Sequence, residues 1–189
     1  LSENIETVLK YRGVPREFLK AEIKNKQAFE IPVNYSGYFL YGTVGSGKTW
    51  KAVAIMREMI LRQSRPYKVD TMVRGIYDAW FYPVTSLLLK IKESFRDGAK
   101  ETEGDIIDRI SSHELVILDD MGTEKISDWT LQVMRTIIDT RSRENRMTII
   151  TSNFSLMDIS DNMDDRIASR IKGMCEVIPV IGEDRRLSK

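Results

Sequence analysis

The 189-residue chain has one cysteine, Cys175, and one histidine, His113. A lone cysteine excludes an internal disulfide and fits a reducing compartment, so a cytoplasmic location is expected. Cys175 begins the largely apolar run to Val180, where a small core residue is the simplest reading. A single histidine leaves no His-rich metal site and makes a Ser-His-Asp triad implausible. No apolar run approaches the ~20 residues of a membrane span, and Leu1-Ser2-Glu3-Asn4 has no signal-peptide pattern. No membrane partner is expected. A first residue other than Met leads us to expect a fragment. Charge of one sign is also missing: 29 Lys and Arg against 28 Asp and Glu give +1. Any nucleic-acid binding must therefore come from local patches. Repeats and low-complexity tracts are absent. With 42% hydrophobic and 30% charged residues, the composition is that of a soluble globular protein, expected as one domain over residues 1–189.

What is present centres on Gly42-Thr43-Val44-Gly45-Ser46-Gly47-Lys48-Thr49, which reads G-x-x-x-x-G-K-T, the phosphate-binding P-loop pattern. Tyr38-Phe39-Leu40-Tyr41 before it suits a buried strand. From Thr49 to about Gln63 there is no Gly or Pro, and Trp50, Val53, Met56 and Ile60 recur at helical spacing. Strand, glycine loop and helix is the order an anion cradle needs. Glycines let successive N–H groups turn toward phosphate oxygens, and the helix N-terminus adds its positive end. Lys48 is expected to reach the terminal phosphates of ATP or ADP, and the Thr49 hydroxyl to bind Mg²⁺.

Residues 1–30 read as a charged helical extension broken by Gly13 and Pro15, with Pro15 able to open a second helix. The extension is expected over the nucleotide base or the sheet edge. Ser64 to Asp78 has no regular pattern. A strand Ala79–Tyr82 is stopped by Pro83, with Thr85 or Ser86 capping a helix to about Phe95. Then come a helix from Asp105 to Ile110, the strand Leu115–Leu118, a helix from about Asp128 to Glu144, and the strand Met147–Thr151. Two short helices lie within Ser155–Met174, followed by a last strand, Glu176–Val180. Alternating strands and helices predict a three-layer α/β fold over residues 31–180, with a five-stranded parallel sheet covered on both faces. Residues 181–189 form a tail.

Asp119-Asp120 follows an uninterrupted apolar strand, which delivers the acids to the carboxyl edge where ligands bind in such sheets. There Asp119 can hold Mg²⁺ beside Thr49, and Asp120 can orient and activate the attacking water. The plain alternative is an acidic turn. Asn153 emerges after the next strand and can bond the water or the γ-phosphate without adding charge. Taken alone it is a turn residue. Arg166, Arg170 and Lys172 form a basic cluster on a helix buried through Ile167 and Ile171. Lys90, Lys92, Arg96 and Lys100, or Arg141, Arg143 and Arg146, could contact DNA phosphates. Interleaved acids such as Glu93, Asp97 and Glu144 make solvated surface the alternative.

These parts together resemble the AAA+ ATPases of the DnaC/DnaI helicase-loader and IstB transposition-helper group over nearly the whole chain. The resemblance is carried by Arg12-Gly13-Val14-Pro15, the GTVGSGKT loop, LVILDDMG from Leu115 to Gly122, and Ser127-Asp128-Trp129. TIITSN from Thr148 to Asn153, Ser169-Arg170-Ile171 and Gly182-Glu183-Asp184-Arg185-Arg186 complete it. It implies Asn153 as the first sensor, Arg170 as an arginine finger acting on a neighbouring subunit, and Arg186 as the second sensor on phosphate in its own subunit. It further implies a lid domain absent or reduced, ATPase activity, a replicative helicase and single-stranded DNA as partners, and a homo-oligomer on assembly that is monomeric when isolated. Asp120 departs from the glutamate of most AAA+ proteins, although Asp-Asp occurs in this group. The Ser64–Asp78 connection is longer than usual. Three other readings stay open: a transposition helper, a small-molecule P-loop kinase, and an ATP-dependent module that does not hydrolyse.

Overall fold

The computed structural model describes residues 2–24, 36–63, 78–123 and 127–182. Ser64–Asp78, apart from Asp78, and Arg185 and Arg186 lie outside them. Strands β1 (Gly37–Tyr41), β2 (Ala79–Pro83), β3 (Leu115–Met121), β4 (Met147–Ser152) and β5 (Glu176–Pro179) form one parallel sheet in the order β2-β3-β4-β1-β5. The expected five-stranded parallel α/β fold is thus the observed one. β3, β4 and β1 are central, and their side chains are buried on both faces, which is why they read as apolar runs.

Helices α1 (Ser2–Tyr11) and α2 (Lys48–Gln63) cover one face; α3 (Val84–Glu93), α4 (Glu103–Ser112), α5 (Asp128–Arg143), α6 (Leu156–Asn162) and α7 (Asp165–Met174) belong to the other. On α2, Val53, Met56 and Ile60 are buried as their spacing predicts. Cys175 is buried too, its thiol pushed up to about 12 by desolvation, so it packs as an inert core residue. Among the described residues no helix is long and apolar enough to cross a membrane.

Local chemistry shifts several expected boundaries. The N-terminal helix stops at Tyr11, and Pro15 precedes only a 3-10 turn, Arg16–Phe18. Neither Thr85 nor Ser86 caps α3: β2 runs through Pro83, and α3 begins at Val84 with no side-chain cap. α4 starts earlier than expected because Thr102 and Asp105 form a reciprocal capping box. The extension also protects the sheet edge. The Arg12 carbonyl accepts from the Phe81 N–H of edge strand β2 at 2.9 Å, satisfying a group an open edge would leave to solvent.

Candidate active site

The glycine loop joins β1 to α2 and is pinned from below. The Gly42 N–H donates to the Ser152 carbonyl at 3.2 Å, and the Val180 N–H donates to the Tyr41 carbonyl at 2.7 Å. A Cβ on Gly42 would stand 2.4 Å from the Val180 carbonyl oxygen, so no other residue fits this turn without moving β5. Lys48, the first residue of α2, is 5% exposed. Its ammonium donates to the carbonyls of Gly42 at 3.0 Å and Thr43 at 2.9 Å, and to Asn153 Oδ1 at 2.8 Å. The loop therefore encloses a cation, and the end of β4 supplies one of its partners. Asn153 and Lys48, 105 residues apart, meet because β4 lies beside β1.

The acid pair sits on a break in β3. The ladder with β4 holds to Leu118↔Ile150 and resumes, shifted, at Met121↔Ser152. At the break Asp120 adopts φ 58°, a left-handed conformation costly for a residue with a Cβ. The irregularity separates the two carboxylates: Asp119 is 6% exposed, whereas Asp120 is solvent-exposed and lines the cavity. Burial raises the Asp119 pKa to about 6; the nearby Asp120 charge adds to the rise, while bonds from Thr151 and Thr49 and the Lys48 charge oppose it. The Asp119 carboxylate and the Thr49 hydroxyl that bonds it are the groups here that could hold a cation. The donors are hard oxygens, which suits Mg²⁺. Among the described residues no group of three or more His, Cys, Asp or Glu could form an all-protein cage.

A cavity of about 580 Å³ opens over these groups. It is lined by Gly45, Gly47, Lys48, Thr49, Asp120 and Asn153, together with Glu17, Phe18, Val44 and Trp50. The glycine loop, the exposed acid Asp120 of a central strand and the Asn153 amide after the next strand thus face one space, with Asp119 buried beside Asp120.

A model of the IstB-like ATP binding protein family matches residues 34–189. The chain belongs to this family. It is 22% identical over 143 residues to the replicative helicase loader DnaC of Escherichia coli (strain K12), covering 76% of this chain and 53% of that protein. It is 24% identical over 163 residues to the replicative helicase loader DnaI of Bacillus subtilis (strain 168), covering 79% and 47%. The chain thus spans about half the length of these curated relatives. Its fold superposes on the crystal structure of the DnaC helicase loader with a TM-score of 0.67 at 22% identity, covering 88% of this chain and 100% of that one. The fold is that of AAA+ P-loop domains.

Several residues of this IstB-like chain lie elsewhere than their sequence context implied. Arg141, a possible DNA contact by its sequence context, is fully buried. Its guanidinium donates to the carbonyls of Ile110, Ser111, His113 and Met147 and to Thr148 Oγ1, at 2.6–3.2 Å. It is a clamp between α4, α5 and β4, out of reach of any DNA phosphate. Arg170 is exposed and donates to Asp139 Oδ1 on α5 at 2.7 Å. It lines no part of the cavity. Lys90, Lys92, Arg96, Lys100 and Arg143 are exposed, and Arg146 pairs with Glu144 at 3.1 Å. Lys92 stands 5.0 Å over the ring of Trp129, against which exposed Phe95 packs edge-on. Glu17 and Phe18 at the cavity had no local signal. The extension reaches the sheet edge through Arg12 and the cavity through Glu17 and Phe18.

Proposed function

We propose that the protein is an ATP-hydrolysing switch that acts in the cytoplasm as an oligomer on a replicative helicase and single-stranded DNA. The carrying observation is that Lys48 at the start of α2, Asp120 on β3 and Asn153 just after β4 line one cavity, with Asp119 buried next to Asp120. In this reading Lys48 exchanges its carbonyl and amide partners for the terminal phosphates of ATP, freeing Asn153 for the γ-phosphate or the water. The loop N–H groups of Gly42 to Thr49 surround the phosphates. Thr49 and Asp119 would hold Mg²⁺, whose charge neutralises phosphate oxygens. Asp120, held out into the cavity, orients the attacking water. Arg170 would complete the site of a neighbouring subunit, and Arg186 would contact phosphate in its own. Exposed Lys90, Lys92, Arg96 and Lys100, next to Phe95 and Trp129, supply the mixture of cations and aromatic rings that suits unpaired bases. The curated relatives named helicase loaders support that partner choice, while the IstB-like family match keeps a transposition helper acting on duplex DNA as the second reading.

The test is ATP turnover with no addition, with single-stranded DNA, with duplex DNA, and with the cognate replicative helicase. Wild type should be slow alone and stimulated by single strands with helicase. Lys48→Ala should lose nucleotide binding, and Asp120→Asn should bind but not turn over. Stimulation by duplex alone would favour the transposition reading. Equal ATP affinity in wild type and Lys48→Ala would sink the assignment of the loop.

A further inference from the structure

We infer that Thr151 is the positioning residue of the acid pair, one buried hydroxyl setting both the carboxylate of Asp119 and the backbone of Asp120. The inference rests on the roles proposed above for those two acids. β3 advances three residues, Leu118 to Met121, while β4 advances two, Ile150 to Ser152. The extra residue on β3 makes a bulge and costs an N–H its ladder acceptor. The Asp120 N–H finds a replacement in Thr151 Oγ1 at 2.9 Å. A hydroxyl has one proton to give, and this one goes to Asp119 Oδ1 at 2.7 Å. Both bonds therefore have a fixed direction: backbone of Asp120 to hydroxyl, hydroxyl to carboxylate of Asp119.

Burial makes the arrangement binding. Thr151 is 0% exposed, so water cannot stand in for the hydroxyl. Asp120 is held at φ 58°, a conformation that persists only where its surroundings enforce it. Thr151 does not line the cavity, so it acts on a bound nucleotide only through the two acids. Valine would fill the same space on this buried strand and would satisfy the packing of β4 equally well. The hydroxyl is what packing does not require.

The test compares Thr151→Val, which keeps the shape and removes the hydroxyl, with Thr151→Ser, which keeps the hydroxyl. Three quantities are measured: affinity for a fluorescent ATP analogue without divalent metal, Mn²⁺ affinity of the nucleotide complex by electron paramagnetic resonance, and kcat. Thr151→Val should bind metal-free nucleotide within about twofold of wild type while losing Mn²⁺ affinity and kcat by roughly 10–100-fold, as when a group supporting a metal ligand is removed. Thr151→Ser should recover most of both. A Thr151→Val protein with wild-type Mn²⁺ affinity and kcat overturns the inference, as does an equal loss in Val and Ser, which would mark a packing effect. Should Thr151→Val not fold, Thr151→Ala against Thr151→Ser makes the same comparison. A wild type that binds nucleotide and Mn²⁺ but does not hydrolyse ATP ends the ATPase proposal, and the Mn²⁺ comparison alone then decides the role of Thr151.

Discussion

Replacing Asp119 by Asn is expected to stabilise the nucleotide-free, metal-free protein at neutral pH while removing a proposed metal ligand. Asp119 is buried at the end of β3, and burial raises its pKa from 3.8 to about 6 even though Thr151, Thr49 and Lys48 pull the other way. The folded pKa is thus above the unfolded one, and the native state binds this proton more tightly. Stability from this group is full below the unfolded value and falls as pH rises from about 4 through about 6. The whole penalty is present at neutral pH. A displacement of that size corresponds to about 3 kcal/mol at most. Asn keeps an oxygen for the Thr151 hydroxyl and cannot ionise. The variant should therefore gain about 1–3 kcal/mol in urea unfolding at pH 7.5 with metal chelated, and melt several degrees higher. The gain over wild type should shrink toward zero at pH 4.5. With ATP and Mg²⁺ the order should reverse, because a ligand that binds only the folded wild type adds its own stabilisation. No gain at pH 7.5, or one equally large at pH 4.5, would refute the claim that burial of an ionised Asp119 strains the empty site.

Arg141→Met should lower stability by about 3–5 kcal/mol, since several buried carbonyls lose their donor; a fall in melting temperature of roughly 10 °C checks this. DNA affinity of the folded fraction should not change, and a selective loss of DNA binding would restore Arg141 to the contact surface. Arg170→Ala should bind ATP normally and be nearly inactive in every assembly state, and mixing it with Lys48→Ala should recover part of the activity. Full activity of the assembled Arg170 variant would remove the trans mechanism.

The parts of the site that could be read from sequence are those whose geometry is local. The glycine loop, the helix that follows it and the apolar strand before Asp119 each carry their signal within about ten residues, and the structure puts them where that signal requires. Asn153 was legible one step further out, because parallel α/β topology sends strand ends to a common edge. The bulge at Asp119-Asp120 was not. It is a mismatch between two strands, and neither strand contains it alone. Glu17 and Phe18 reach the cavity by the path of an extension whose helical signal ended earlier than its charge pattern implied.

Residue type misplaces Arg141 and is silent on Thr151 for a shared physical reason. Residue type assigns an arginine to solvent and leaves a threonine near a strand end without a task. Phase says otherwise. On α5 the buried positions Thr130, Val133, Met134, Ile137, Ile138 and Arg141 follow one stripe at spacings of three and four, so Arg141 falls on the core side of its own helix. Thr151 continues the central strand through Ile149 and Ile150, all three buried. When a polar side chain occupies a buried phase, desolvation costs more than a surface contact could return, so it is stable there only with partners in place. The pertinent question is then which unpaired backbone or carboxylate groups it satisfies. For Arg141 these are the carbonyls where α4 and β4 meet, a structural debt of the fold. For Thr151 they are the N–H released by the bulge and the carboxylate of Asp119, which belong to the site itself. The same physical requirement therefore yields a clamp in one place and a positioning residue in the other, and the identity of the satisfied groups separates the two.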